Sequence, residues 1–122
     1  MSRTSAQRLQ DILAAIGAID RADAVGQRHP HDADLPDVVL AAVQFHVFTI
    51  GEAVKALPRD LTGSRPDVPW SDVARMRDLI GHHYYRLDAQ IVRATITEPI
   101  DRLRVACEAL LREGTDQPAQ PT

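Results

Sequence analysis

One cysteine, one lysine and an aromatic content of 4% leave this 122-residue chain short of three common resources. The lone Cys107 excludes an internal disulfide and fits a reducing compartment. It falls on the apolar face of a predicted helix, where a free thiol packs as a small hydrophobe. With so few rings, Ala, Val, Leu and Ile must fill the core, which suits packed helices. No apolar run approaches the ~20 residues of a membrane span. The opening segment, "MSRTSAQRLQDILAAIGAID", carries Asp11 where a signal-peptide core would run. A cytoplasmic protein with no membrane partner is expected. Excess positive charge is missing too: the net charge is −3, so any polyanion would need a local cationic site.

The lone lysine is Lys55, and the other basic residues are arginines. Arginine grips phosphate through a planar fork, although a compositional bias of the genome would give the same preference. Alternating strand patterns and internal repeats are absent. So are a carboxylate cluster for Mg²⁺ and a Gly-rich phosphate loop. His29 and His31 stand beside Asp32 and Asp34 in a polar connector, but nothing completes a coordination shell around them. Neither a metal nor a cofactor is expected.

What is present reads as helix. Over residues 5–25, Leu9, Ile12, Leu13, Ile16 and Ile19 recur at helical spacing. "GQRHPHDADLP" (26–36) is a connector. A helix of about six turns follows from Pro36 to Leu57, opened by proline and closed by Pro58. It is apolar nearly all round, so it should lie at the centre of a bundle. Gln44, His46 and Glu52 interrupt it. His46 is expected to be satisfied or partly exposed. A carboxylate in such company wants a cation. Arg77 is the leading candidate for Glu52, and an exposed glutamate on an imperfectly buried helix is the alternative. "PRDLTGSRPDVPW" (58–70) reads as a loop. A further helix carries Val73, Met76 and Ile80 inward. Residues 88–97 look helical with Asp88 as N-cap, and Pro99 breaks or kinks the pattern. A last helix presents Ile100, Leu103, Cys107, Leu110 and Leu111 and stops at Gly114. The expectation is one all-α domain over 1–113, a four- to five-helix up-and-down bundle. Residues 114–122 are expected to form a disordered tail.

The chemistry gathers in "RMRDLIGHHYYRLD" (75–88). On an ideal helix Arg77 and His82 stand about 140° apart, so the spacing predicts a loosened backbone between them, cheapest at Gly81. Arginine can hold a phosphate and stabilise the charge of a phosphorane-like transition state. Histidine can move a proton at neutral pH. A metal-free cleavage of a phosphodiester would borrow its nucleophile from the substrate, and the RNA 2′-OH serves. One histidine is hard to use as both base and acid, whereas a symmetric dimer would supply two. Arg and His near a helix end are also common surface or capping residues, so the chemistry by itself leaves both readings open.

Arg77-x4-His82-x-Tyr84 resembles the Arg-x4-His-x-Tyr motif of the HepT-like branch of the HEPN superfamily. Its context is similar as well. "IGEAVKALP" (50–58) resembles the family's Gly-Glu-Ala helix segment, "VPW" (68–70) the Pro-Trp before the motif helix, and "YYRLD" the stretch after it. The resemblance covers roughly residues 5–112. It implies a homodimeric, metal-independent ribonuclease toxin of a type VII-like toxin–antitoxin pair, with RNA as substrate. Its partner would be a cognate MNT-type nucleotidyltransferase antitoxin. Arg77 and His82 would be the catalytic pair, and Tyr84 would accept AMP from the antitoxin. The sequence departs from the family in three places. Asp78 stands where Asn is usual, and an acid beside Arg77 would lower the local positive potential. His83 could assist or replace His82, and Tyr85 duplicates the phenol. Two other readings remain: a non-catalytic HEPN subunit that binds nucleotide or substrate for a separate nucleotidyltransferase, and an inactive member that only dimerises.

Overall fold

The computed structural model describes residues 3–86 and 88–114. All its regular elements among these residues are helical. Helix α1 spans Ser5–Arg28 and starts from a capping box: the Gln7 amide donates to Thr4 Oγ1 at 3.0 Å, and the Thr4 amide donates to Gln7 Oε1 at 2.8 Å. Leu9, Ile12, Ile16 and Ile19 are buried along one stripe and Leu13 flanks it, as the periodicity predicts. The helix runs three residues into the segment read as connector. Beyond it, the Asp34 amide donates to Asp32 Oδ1 at 3.0 Å, a turn fastened by its own side chain.

Helix α2, Leu35–Ala56, has Pro36 in its first turn and ends at an extended Leu57, the conformation a following proline favours. It packs along α1 on one side and α4 on the other, so it is the central helix. It is not buried all round, however. Val39, Val43, Val47, Ile50 and Val54 face the core, whereas Val38 and Phe45 are about 60% exposed. Contrary to the reading of the sequence, α2 is long and apolar enough to cross a membrane by length and composition, because its few polar residues are spread along it; here its buried stripe packs inside the bundle.

The segment read as a loop holds a short helix, α3, Arg59–Gly63. Propensity underrates it because so brief a helix gains most from packing, here through buried Leu61. Val68 and Trp70 anchor the approach to α4, with the indole Nε1 donating to the Arg65 carbonyl at 3.0 Å.

Helix α4 is Trp70–His83, with Val73, Met76 and Ile80 inward, and a 3₁₀ turn follows at Tyr84–Arg86. Helix α5, Ala89–Thr95, is capped by Asp88, whose side chain accepts from the Gln90 amide at 2.8 Å. Helix α6, Glu98–Arg112, takes Pro99 in its first turn, so this proline starts a helix rather than kinking one. It closes the bundle against α1. Ile100, Leu103, Cys107 and Leu110 are buried, and Leu111 packs at their edge. Gly114 ends it at φ 69°, a left-handed position suited to glycine. The expected tail beyond Gly114 lies outside the described residues.

Candidate active site

Four residues of α2 and three of α4 build the site. Phe48, Gly51, Glu52 and Lys55 follow i, i+3, i+4, i+7 spacing, one stripe of a helix. Arg77, Asp78 and Gly81 oppose them. The helices approach closely because position 51 has no side chain. A Cβ placed there would lie 2.2 Å from Arg77 Cβ and 3.2 Å from the Val73 carbonyl oxygen.

That approach brings Arg77 into a grip. Its Nε donates to Glu52 Oε1, and its Nη1 donates to Asp78 Oδ1 at 3.2 Å. Cζ stands 4.8 Å from the centroid of the Phe48 ring, a cation–π distance. The Arg77 side chain is 23% exposed, and among the described residues no partner engages Nη2. The expected partnership of Glu52 with Arg77 is therefore present. Half the Glu52 side chain still meets solvent, so the grip lies at the protein surface. The Glu52 hydrogen bond is the leading cause that raises the Arg77 pKa above the ordinary arginine value. The guanidinium is a permanent cation here.

Asp78 is shared. Its Oδ1 also accepts from Lys55 Nζ at 2.8 Å. The Lys55 hydrogen bond, with a smaller contribution from Arg77, holds the Asp78 carboxyl below the usual carboxylate range. Two cations and two carboxylates thus interlock across α2 and α4.

The backbone does not loosen at Gly81. Helix α4 runs through it to His83, and the departure from α-helical geometry comes only at Tyr84–Arg86. Side-chain length does part of what unwinding was expected to do. Arg77 extends one turn along α4, so that a Cβ on Gly81 would stand 3.6 Å from Arg77 Nη1 and 3.2 Å from Phe48 Cε1. Glycine at 81 relieves a tight contact with the Phe48 ring on which Arg77 stacks and is not a helix terminator. His82 and His83 follow in the exposed last turn of α4. Among the described residues no hydrogen bond or ion pair links His82 with Arg77. Tyr84 and Tyr85 are 72% and 67% exposed, with ring centroids 5.7 Å apart, and Tyr85 stands 6.5 Å from His83. Both phenols therefore face solvent.

The structure thus joins Glu52, Arg77 and Asp78 and places His82, His83 and Tyr84 at the open end of the same helix. His46 lies away from this grip, half-buried and edge-on to Phe45 at 5.2 Å. His29 and His31 are exposed, and among the described residues no group of three or more His, Cys, Asp or Glu could hold a metal. Phe48 drew no notice in the sequence, and Gly51 and Lys55, though they lie in "IGEAVKALP", were given no role at the site. Their signal was the helical stripe they share with Glu52, visible once Glu52 is assigned to Arg77.

A helical bundle with an Arg-x4-His-x-Tyr motif closing one of its long helices has the form of a HEPN domain. Residues 7–110 match the Ribonuclease HepT-like family, and the chain belongs to it. It is 31% identical over 112 residues to the Thermococcus cleftensis protein named "Probable ribonuclease HepT", spanning 90% of this chain and 98% of that one. Two shorter matches carry RNase names. One, from Methanocaldococcus jannaschii, is 36% identical over 70 residues, 56% of this chain and 58% of the relative. The other, from Caldanaerobacter subterraneus, is 36% identical over 64 residues, 52% and 57% respectively. No solved structure matches the chain significantly.

Proposed function

We propose that this protein is a metal-independent endoribonuclease whose catalytic pair is Arg77 and His82. The observation that carries the reading is the Arg77 guanidinium, fixed by Glu52 and stacked on Phe48 but open at Nη2, on the helix whose exposed last turn carries His82. A pinned cation with a free edge suits a phosphate whose charge grows in the transition state. In the proposed reaction the RNA 2′-oxygen attacks phosphorus and its proton passes to a histidine. The bond to the 5′-oxygen breaks, and that oxygen takes a proton. The products are a 2′,3′-cyclic phosphate and a 5′-hydroxyl. Two proton transfers call for two groups, and a homodimer with paired Arg77/His82 motifs on one cleft supplies them. His83 is the nearest auxiliary.

The same reading makes the protein the toxin of a toxin–antitoxin pair in the cytoplasm. A cognate MNT-type nucleotidyltransferase would neutralise it by moving AMP onto Tyr84. The exposed phenol is accessible to such an enzyme, and the added bulk and negative charge would compete with RNA for Arg77.

One observation favours the non-catalytic part of a second reading, a subunit that binds nucleotide or substrate for a separate nucleotidyltransferase and does not itself cleave RNA. Glu52 and Asp78 both engage Arg77, which tempers its attraction for a polyanion. Cleavage assays separate the two. RNA should be cut in EDTA, DNA should not, and Arg77→Ala and His82→Ala should each lose about 10²–10⁴ in rate. A requirement for Mg²⁺, or full activity in His82→Ala, would overturn the mechanism. Strictly monomeric behaviour in light scattering would remove the shared cleft.

A further inference from the structure

The acid that follows Arg77 in the chain is a hazard to a phosphate-binding guanidinium. Glu52 already occupies Nε. A second carboxylate settled on Nη1 would neutralise the fork twice over and repel an incoming phosphate. Asp78 does reach Nη1, but at 3.2 Å and through the same oxygen that accepts from Lys55 Nζ at 2.8 Å. The shorter contact crosses from α2 to α4, between residues 23 apart in sequence. Lys55 is also the chain's sole lysine. An ammonium suits this place, since it carries a compact charge with three donors and does not need the planar pairing of a guanidinium.

We propose that Lys55 is a positioning residue for Arg77: it competes for the Asp78 carboxylate and offsets its charge, so that Asp78 keeps only the longer contact with Nη1 and Nη2 stays open to an RNA phosphate. The proposal rests on the ribonuclease reading for the identity of the ligand. It assigns Lys55 no contact with RNA. The Lys55 and Asp78 side chains are 44% and 46% exposed, so solvent screens the pair and its effect is modest. Among the described residues, the other cation bonded to the Asp78 carboxylate is Arg77, and without Lys55 the carboxylate would turn to it.

A double-mutant cycle tests this with wild type, K55M, D78N and K55M/D78N, plus K55R. Two readouts are taken from the full chain: anisotropy binding of a 2′-O-methyl RNA oligonucleotide, which cannot be cleaved, and single-turnover cleavage of the matching RNA. K55M should weaken oligonucleotide binding about three- to fivefold, the most that so exposed a pair sustains. In the D78N background the same change should cost less than about twofold, because the carboxylate to be restrained is gone. K55R should keep most of the wild-type affinity, and thermal melts should show all variants folded. K55M/D78N should also bind the oligonucleotide more tightly than K55M alone; a merely structural tie between α2 and α4 would be broken equally in both and would show no such recovery.

Equal losses in both backgrounds would make Lys55 a direct phosphate contact and overturn the proposal. No loss on K55M, or no oligonucleotide binding by wild type, would overturn it as well. If the binding cycle holds while no variant cleaves RNA, the ribonuclease reading fails and the role of Lys55 stands.

Discussion

Replacing Gly51 by alanine tests the close approach that assembles the site. In an exposed helix interior the change gains about 1 kcal/mol, so propensity predicts a more stable protein. The geometry predicts the reverse. The new Cβ would lie 2.2 Å from Arg77 Cβ and 2.9 Å from Arg77 Cγ, against an ordinary carbon–carbon contact of about 3.5–4.0 Å. The nearest atoms are not the mobile end of a side chain. Cβ is fixed to the α4 backbone, and the Val73 carbonyl 3.2 Å away belongs to it. Helices α2 and α4 must therefore part by about 1 Å or more. Overpacking of this kind costs about 3 kcal/mol at the upper end of its usual range, which leaves a net loss of about 2 kcal/mol. With an unfolding entropy of about 2.1 cal/mol/K per residue, the melting temperature falls by about 8 °C. Cleavage should fall further than stability, since a displacement of about 1 Å in a catalytic group can cost about 10²-fold. Gly63→Ala is the control: nothing lies within 4 Å of its Cβ, and it should be neutral or mildly stabilising. Thermal and urea melts of both variants beside wild type decide the matter. A G51A protein as stable as wild type would refute the argument from close approach.

Glu52→Gln keeps the size of the side chain but removes the charge that orients Arg77. The expected result is a fall in kcat of about 10- to 100-fold with RNA binding no weaker than wild type, and unchanged kcat in steady-state kinetics would deny Glu52 a positioning role. Cys107 is fully buried, and burial, with a smaller contribution from Glu108, pushes its thiol pKa up to about 12. It should resist iodoacetamide in native protein and react once unfolded. Because the folded pKa is raised, its contribution to stability is intact below the ordinary thiol value and lost as pH rises from about 8.5 toward 12; urea midpoints that hold level across that window would contradict this. Tyr84→Phe should cleave RNA nearly as well as wild type yet escape the nucleotidyltransferase. In co-expressed wild type an AMP-sized mass should appear on Tyr84, and a label confined to Tyr85 would transfer the role to its neighbour.

Much of the molecule was written locally. The stripe Leu9, Ile12, Ile16, Ile19 is a helix face at any position in space, because its spacing matches the 3.6-residue turn. Asp88 caps α5 through its own neighbour's amide, a contact two residues long. The triplet Arg77, His82 and Tyr84 pointed to the HepT-like family. Glu52 announced its need for a cation because a carboxylate on an apolar helix has few other ways to stay charged. Other features depend on registry between helices, which no local pattern encodes. Gly51 belongs to the family-like "IGEAVKALP", but only the opposed backbone of α4 shows why a methyl group will not fit there. The contact of Lys55 with Asp78 joins residues 23 apart, and neither position alone implies the other. Gly81 is the sharpest case. Its low helix propensity argued for a break between Arg77 and His82, yet α4 continues through it. A Cβ there would press on the Phe48 ring at 3.2 Å while only touching Arg77 Nη1 at 3.6 Å, and tertiary packing overrode the local preference.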